Sequence, residues 1–554
     1  MSLAVNQQVQ PELVLDKRLG FENKRKFGII KSGRSNTFKV LPTQNYSQSQ
    51  CTFNAQPPSP NIAIDRQIMT KWYITLTFTG TAGSNGLLLA PSLYDAPRAF
   101  PVSQCISNIQ ANINNANVSL TTYQAINAFI RTNTTDDELR KDFSLTPSML
   151  DFFQEYDDPY VFGYGIANDP LQQVGQNGYF VSRGGFPFTV VSNTATTAVV
   201  TFSSSEPMVV SPFLSNSDNE VALIGVQTLT AQINFNNLNR CWSHSNGNGN
   251  AGTITSCVAS FTQAPEMLLN FLTPSDLQDI PVSNIFNYNT VDFYPYDTGI
   301  TLAPGATAVI NSQNIQFGYI PRRIYIFARR TDASATISTT DTFLRINGAQ
   351  ISFDNIAGVL SGANSEQLWN LSKESGLNMS WSEWSKYTGS ILVLDIGRGL
   401  FLQSPDEAPS LSTTKQFQVQ LNVTNINQQN SIPVSLQIMT IADGLITIEG
   451  GNTILQNTVL TRDDILNAGQ NPTVNSLWEK SNSWFGGGGL KFRDISHKLK
   501  NAHNAVKSSG ALSTIAALSG HPESAILANA LGYGGALVGG KKMSKASLAS
   551  RLAR

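Results

Sequence analysis

Charge is what this sequence has least of. Only 14% of its 554 residues are Asp, Glu, Lys or Arg, against about a quarter in ordinary soluble domains. Asn, Ser, Thr, Gln and Gly fill the difference. The result is a polar surface with few ions, as in large β-proteins with long loops and unlike a cytosolic helical enzyme. Cysteine is scarce as well. Cys51, Cys105, Cys241 and Cys257 form no CxxC pair, which argues against a disulfide scaffold or a zinc site. Cys241 and Cys257 could meet across a hairpin, but buried thiols are the expectation. Of the four histidines, His497, His503 and His521 fall near the C-terminal end. His244 stands alone in a Gly/Asn-rich turn, with no partner evident. No apolar run reaches the roughly 18 residues of a membrane-spanning helix. The N-terminus lacks the basic-then-apolar order of a signal peptide.

Catalytic signatures are missing too. HExxH, GxSxG and GxxxxGK[ST] do not occur. The pair Asp157-Asp158 and the run Asp136-Asp137-Glu138 read as solvated loop acids, because glycosidase carboxylates must be held across a cleft. The GRGLF stretch at 397–401 follows a strand signal, but no helix-starting Lys-Ser/Thr makes it a phosphate loop. Neither an enzyme nor a cofactor or metal site is expected.

What is present is alternation. In Arg345–Phe353, RINGAQISF, polar and apolar residues alternate as in a strand with one buried face. Ala111–Leu120, ANINNANVSL, resembles it: Ile113-Asn114 answers Ile346-Asn347, and Val118-Ser119-Leu120 answers Ile351-Ser352-Phe353. Each is followed by a short acidic, helical-looking segment, Asp136–Arg140 in one half and Ser365–Trp369 in the other. The clearest half-buried strand is Lys71–Thr79, with Trp72, Ile74, Leu76 and Phe78 on one face. Further signals stand at 186–191, 197–204, 225–235 and 253–262. A second series runs over 288–294, 305–315, 322–329, 340–354, 389–397, 415–424 and 433–442. Turn-rich NSDNE and SNGNGNAG punctuate the first series. This pattern predicts an all-β chain of antiparallel sandwiches, either jelly rolls or immunoglobulin-like domains. The latter usually have shorter loops, and no Cys–Trp–Cys spacing supports them.

The domain reading is an extended basic arm at 1–48, a first jelly roll at 49–265, a join at 266–284, a second jelly roll at 285–445, a linker at 446–489 and a tail at 490–554. The arm is either an ordinary solvated terminus or a contact to a neighbouring subunit or nucleic acid. After Gly486–Gly489 the period changes. Phe492, Ile495, Leu499, Ala502 and Val506 share one helical face. Residues 485–554 carry ten Lys and Arg against Asp494 and Glu523, so the tail is basic although the whole chain has a net charge of -1. Lys491, Arg493, Lys498, Lys500, Lys507, Lys541, Lys542 and Lys545 are the candidate contacts to DNA phosphates or an anionic membrane surface.

Five stretches resemble a known family: PPSPNIAIDRQIMTKWYITLTFTGT at 57–81, IPRRIYIFARR at 320–330, LRINGAQISFDNIAGVLS at 344–361, LWNLSKESGLNMSWSEWS at 368–385 and TGSILVLDIGRGL at 388–400. Together they are similar to the double jelly-roll major capsid proteins of small eukaryotic DNA viruses, of the polinton-like virus and virophage type within the adenovirus-like lineage. The likeness spans about 50–445 and places the start of the first jelly roll near PPSPN. It implies two tandem antiparallel eight-stranded jelly rolls with an N-terminal arm and a partly helical tail. It further implies homotrimers that look hexagonal, tile an icosahedral shell and are assembled inside the infected cell. The implied partners are further copies of the chain, penton and minor capsid or cement proteins, and packaged DNA or an internal membrane through the tail. Leu537–Lys541 looks like a processing site of adenovirus-type proteases, with cleavage between Gly540 and Lys541. The alternatives are a minor capsid or penton protein, or a carbohydrate-binding jelly-roll attachment protein.

Overall fold

The alternation in Lys71–Thr79 is part of a longer strand, Met69–Thr81. Its even-numbered side chains from Thr70 to Phe78 are buried and its odd-numbered ones face outward. The structure is a computed structural model. It describes residues 13–20, 26–30, 36–43, 45–91, 95–133, 145–147, 150, 187–213, 222–244, 252–274, 283–354, 356–396, 414–427 and 430–456. A hairpin of Leu13–Gly20 and Lys26–Ile30 comes first.

Eight main strands follow: β1 (Asn36–Pro42), β2 (Gln50–Ala55), β3 (Met69–Thr81), β4 (Ile106–Ile113), β5 (Ala116–Leu120), β6 (Thr197–Pro207), β7 (Leu229–Phe235) and β8 (Glu266–Leu272). They form two antiparallel sheets, ordered β6-β3-β8-β1 and β5-β4-β7-β2. The chain then repeats itself with β9 (Ser283–Leu302), β10 (Thr307–Asn311), β11 (Arg323–Arg330), β12 (Arg345–Phe353), β13 (Ile356–Val359), β14 (Ile391–Asp395), β15 (Lys415–Thr424) and β16 (Ile432–Glu449). The sheet orders are β14-β11-β16-β9 and β13-β12-β15-β10. Every strand of the second set takes the place of its counterpart in the first. Each set is a jelly roll, with its two sheets facing across a core. A helix follows the fifth strand in both, α1 (Thr122–Asn133) and α2 (Ser365–Glu374).

The duplication is real, but its register differs from the sequence expectation. Ala111–Leu120 is not one strand. It turns back on itself after Asn114, which has φ 55°, a left-handed conformation that Asn tolerates. The matching turn in the second barrel is at Asp354, φ 50°. Ile106–Ile113 therefore corresponds to Ile346–Phe353. Both segments skip one residue in the pairing near their start, Ser107 in one and Asn347 in the other. Both bury the same positions: Ile106, Ile109, Ala111 and Ile113 against Ile346, Ala349, Ile351 and Phe353. The first-half counterpart of α2 is α1; the expected Asp136–Arg140 segment lies outside the described residues.

The boundaries also move. β1 lies inside the expected arm and β8 inside the expected join, and the two pair along their whole lengths, Pro42 with Glu266 through Asn36 with Leu272. The first jelly roll thus starts before PPSPN. β16 and its hairpin partner Asn452–Gln456 run past residue 445. The physical reason is burial on both faces. In EMLLNFL four consecutive residues from Leu269 to Leu272 are buried, Asn270 among them, so it shows no period-two signature.

Trp72 anchors the first core. It packs near Phe53, Phe235 and Phe261, with ring centroids 6.4, 5.6 and 5.9 Å away, and its indole N–H donates to Thr70 Oγ1. In the second core Phe327 stacks on Phe343 at 4.4 Å. There the edge strand β14 is covered by α2: Val393 N–H donates to Ser372 Oγ, and Asp395 N–H to Ser375 Oγ. This satisfies an edge that would otherwise invite pairing. The capping box of Asn364 and Gln367 starts that helix. The four cysteines are free thiols, and Cys51, Cys105 and Cys241 are buried. Burial pushes the Cys105 thiol up to about 12.

Replacing Trp72 by Asp places an unpaired charge in this core and should cost several kcal/mol, about 4 or more. Chemical denaturation measures it; a loss below about 0.5 kcal/mol would put the residue on the surface.

Candidate functional site: the joint between the two barrels

A charge in a protein with few charges is conspicuous when it is buried. Arg98, between β3 and β4, is 1% exposed. Its Nε donates to the Trp242 carbonyl at 3.1 Å. Its Nη2 reaches across to the second barrel and donates to the carbonyls of Thr336, Ile337 and Thr339 at 3.1, 3.0 and 2.9 Å. Its Nη1 donates to Asp341 Oδ2 at 3.2 Å. Arg240, in the turn after β7, donates to the other oxygen of Asp341 at 2.6 Å. Asp341 precedes β12, so one second-barrel carboxylate is held by two first-barrel guanidinium groups.

Burial alone would raise the Asp341 pKa. Arg240 and Arg98 outweigh it and hold the carboxyl well below the usual carboxylate range. Arg131, in the last turn of α1, extends the joint. Its guanidinium lies 3.8 Å from the Phe343 ring centroid, and its Nη2 donates to the Thr388 carbonyl at 3.1 Å. Asn378 Nδ2 donates to the Thr132 carbonyl at 3.2 Å. Gly389 follows Thr388 with φ +85°, and a Cβ there would stand 1.9 Å from the Phe343 carbonyl oxygen. Only glycine fits.

His244 has partners after all. Its backbone N–H donates to the Ile337 carbonyl at 3.1 Å. Nδ1 is 2.8 Å from Asp95 Oδ1, and Nε2 is 2.9 Å from the Gly252 carbonyl. Trp242 Nε1 also donates to Asp95, at 3.1 Å. An Asp–His pair suggests hydrolysis only if the far nitrogen faces a nucleophile. Here it faces a backbone carbonyl and the ring is buried, so the pair braces the strand beneath Arg98. A second contact lies elsewhere along the barrels: Asn114 Nδ2 donates to Thr453 Oγ1 at 3.0 Å, and Thr453 N–H to Asn115 Oδ1 at 2.6 Å. Among the described residues no group of His, Cys, Asp and Glu is placed to hold a metal.

The candidate residues Lys491, Arg493, Lys498, Lys500, Lys507, Gly540, Lys541, Lys542 and Lys545 lie outside the described residues, as do Asp136–Glu138 and Asp157-Asp158. The joint residues had no spacing signal, because the partners stand hundreds of positions apart. The one available hint was an arginine inside an apolar helix, Arg131 in AINAFIRT.

Comparison with known proteins places this geometry. Residues 8–272 match a family model described as the Sputnik virophage major capsid protein first domain. Residues 294–444 match the major capsid protein V20 C-terminal domain. A relative described as putative capsid protein V20 of Sputnik virophage is 30% identical, over 97% of this chain and 98% of its own. Among solved structures, a chain of the Sputnik virophage cryo-EM structure superposes with a TM-score of 0.72 at 31% identity, covering 84% of this chain and 97% of that one. The mavirus major capsid protein crystal structure gives 0.64 at 15% identity, covering 84% and 95%, and is similar in fold.

Asp341→Asn should cost about 3–5 kcal/mol by leaving the buried Arg98 and the partly buried Arg240 guanidinium groups short of a charge. The ionised carboxyl's contribution is complete above its unfolded value of 3.8 and is lost as pH falls through the lower folded value. Melting curves of parent and variant should therefore differ by a constant amount above about pH 5 and converge toward pH 2. Gly389→Ala should cost at least about 2 kcal/mol at any pH.

Proposed function

This chain belongs to the virophage major capsid protein family, and from that membership we propose how it builds a shell. It is a structural protein of the virion and not an enzyme. Three copies close into a capsomer through one head-to-tail contact repeated three times. Two barrels per chain then give six similar barrels around the axis, which lets one gene product fill near-sixfold lattice positions. The observation that carries this is the buried joint. A pseudo-sixfold ring needs the two barrels of each chain at a set angle, and Arg98, Arg240 and Asp341 tie them by ion pairs that tolerate little rotation. Neighbouring capsomers, and penton and cement proteins, are the further partners of this reading.

The tail enters on its sequence alone. Ten cations in residues 485–554 suit DNA phosphates or lipid headgroups inside a shell, both weakened by salt. The apolar stripe from Phe492 to Val506 favours an anchor on the inner shell or membrane surface, with the basic end near the genome. Leu537–Lys541 is the proposed processing site. The alternatives of a penton protein or a sugar-binding attachment protein have no comparable support, since a penton usually needs one jelly roll and this chain has two.

Light scattering should give a particle about three times the 60.1 kDa chain mass, with a hexagonal outline in electron micrographs. A stable monomer at all concentrations would sink the proposal. Deleting 485–554 should leave trimers with an unchanged melting temperature while shell assembly or genome retention falls. Failure of the truncated chain to trimerise would show that the tail belongs to the folded core.

A further inference from the structure

The sheets β5-β4-β7-β2 and β13-β12-β15-β10 share a feature that folding does not require. Their outward side chains are almost free of charge. In the first barrel β2, β4, β5 and β7 contain no charged residue at all. In the second, Arg345 and Lys415 are the sole charges, each the first residue of its strand. The opposite sheets differ, with Lys39, Lys71, Asp297 and Arg330 at incompletely buried positions. Exposed sheet faces ordinarily carry Lys and Glu, which keep them soluble and discourage association.

The two faces also carry the same amide at three equivalent positions near their centres. In the first barrel Gln232 pairs across strands with Gln110, and Asn234 lies two residues on. In the second Gln420 pairs with Gln350, and Asn422 lies two residues on. The topological equivalence of β4 with β12 and β7 with β15 puts Gln110 on Gln350, Gln232 on Gln420 and Asn234 on Asn422. The inward positions of β7 and β15 did not stay alike: Ala231 and Ile233 stand where the second barrel has Val419 and Leu421. A core needs only apolar volume. Identical outward amides in two halves that have otherwise diverged need a common neighbour.

We propose that these two amide faces are where one copy of this chain meets another. The reading deepens the shell-forming role and rests on it. An amide side chain both donates and accepts, so such a face can pair with a polar surface of another copy and requires no oppositely charged partner. A contact without ions also keeps its strength when salt screens charge.

The test uses the full chain with Gln232→Glu and Gln420→Glu together, one carboxylate on each face. Gln232→Thr with Gln420→Thr is the uncharged control. Melting temperature checks the fold, and light scattering with electron microscopy reads association. The glutamate pair should melt within a few degrees of the parent, yet associate at least ten-fold more weakly at low ionic strength. Association should recover near 0.5 M salt, where charges are screened within about 4–5 Å. The threonine pair should associate like the parent at both. A glutamate pair that associates normally at low salt overturns the inference while leaving the shell-forming role intact; a parent that never self-associates overturns both. Should the glutamate pair unfold the chain, Asn234→Asp with Asn422→Asp is read by the same criterion.

Discussion

The arrangement of the molecule depends on one carboxylate. Asp341 stands between Arg98 and Arg240, and all three would be costly to bury alone. A buried ion pair adds little net stability over a well-packed apolar contact, but breaking it is expensive, because it strands a charge. That asymmetry suits a joint. An apolar contact tolerates sliding by a fraction of a side chain. The guanidinium donors of Arg98, aimed at four carbonyls and a carboxylate, do not. Arg131 over Phe343 and Gly389 against the Phe343 carbonyl place the same demand on the neighbouring segment. Buried charges also occur within each barrel, as in Glu206 and Arg323, but those of the joint act on the orientation between the barrels.

The barrels themselves show what a duplicated fold keeps. Strand order, the skipped residue near the start of β4 and β12, and the left-handed turn at Asn114 and Asp354 are all retained. These features decide topology: a one-residue slip would turn every buried side chain outward. Core identity is not retained, because interchange of apolar residues is tolerated when volume is conserved. The departures are at the edges. The second barrel covers its edge strand β14 with α2 through Ser372 and Ser375. The first instead extends the corresponding edge with the strand Thr189–Asn193.

Half-buried strands were legible in the sequence for a simple reason. Lys71–Thr79, Arg345–Phe353 and Lys415–Thr424 each have one face in the core and one in water, so their composition alternates. β8 has no such contrast and read as part of a join. β1 gives no clear signal in the sequence, and its pairing partner lies more than two hundred residues away. The internal repeat is legible in the sequence, but in the wrong register. ANINNANVSL and RINGAQISF match in letters, whereas the equivalence of the folds is carried by where the strand ends, and a turn at Asn114 has no counterpart inside β12. The joint was not legible at all. Its members are ordinary residues in four separate loops and a helix end, and only the tertiary fold brings them together.

The low charge content of the chain has a structural account. A soluble chain of this size usually distributes ions over its surface, which keeps copies apart. This chain draws several of its arginines into the joint, where they act within one molecule. It leaves the outward faces of two sheets mostly to amides and hydroxyls. Such a surface does not repel its own copy at any physiological salt concentration, and it pairs by short-range hydrogen bonds that demand close fit. A protein that must meet many identical neighbours in one geometry gains from both properties. Charge would steer encounters from a distance, and identical copies would then repel wherever like faces approached. Removing charge from the faces and placing it in the joint separates two tasks, fixing the shape of the subunit and permitting its repetition.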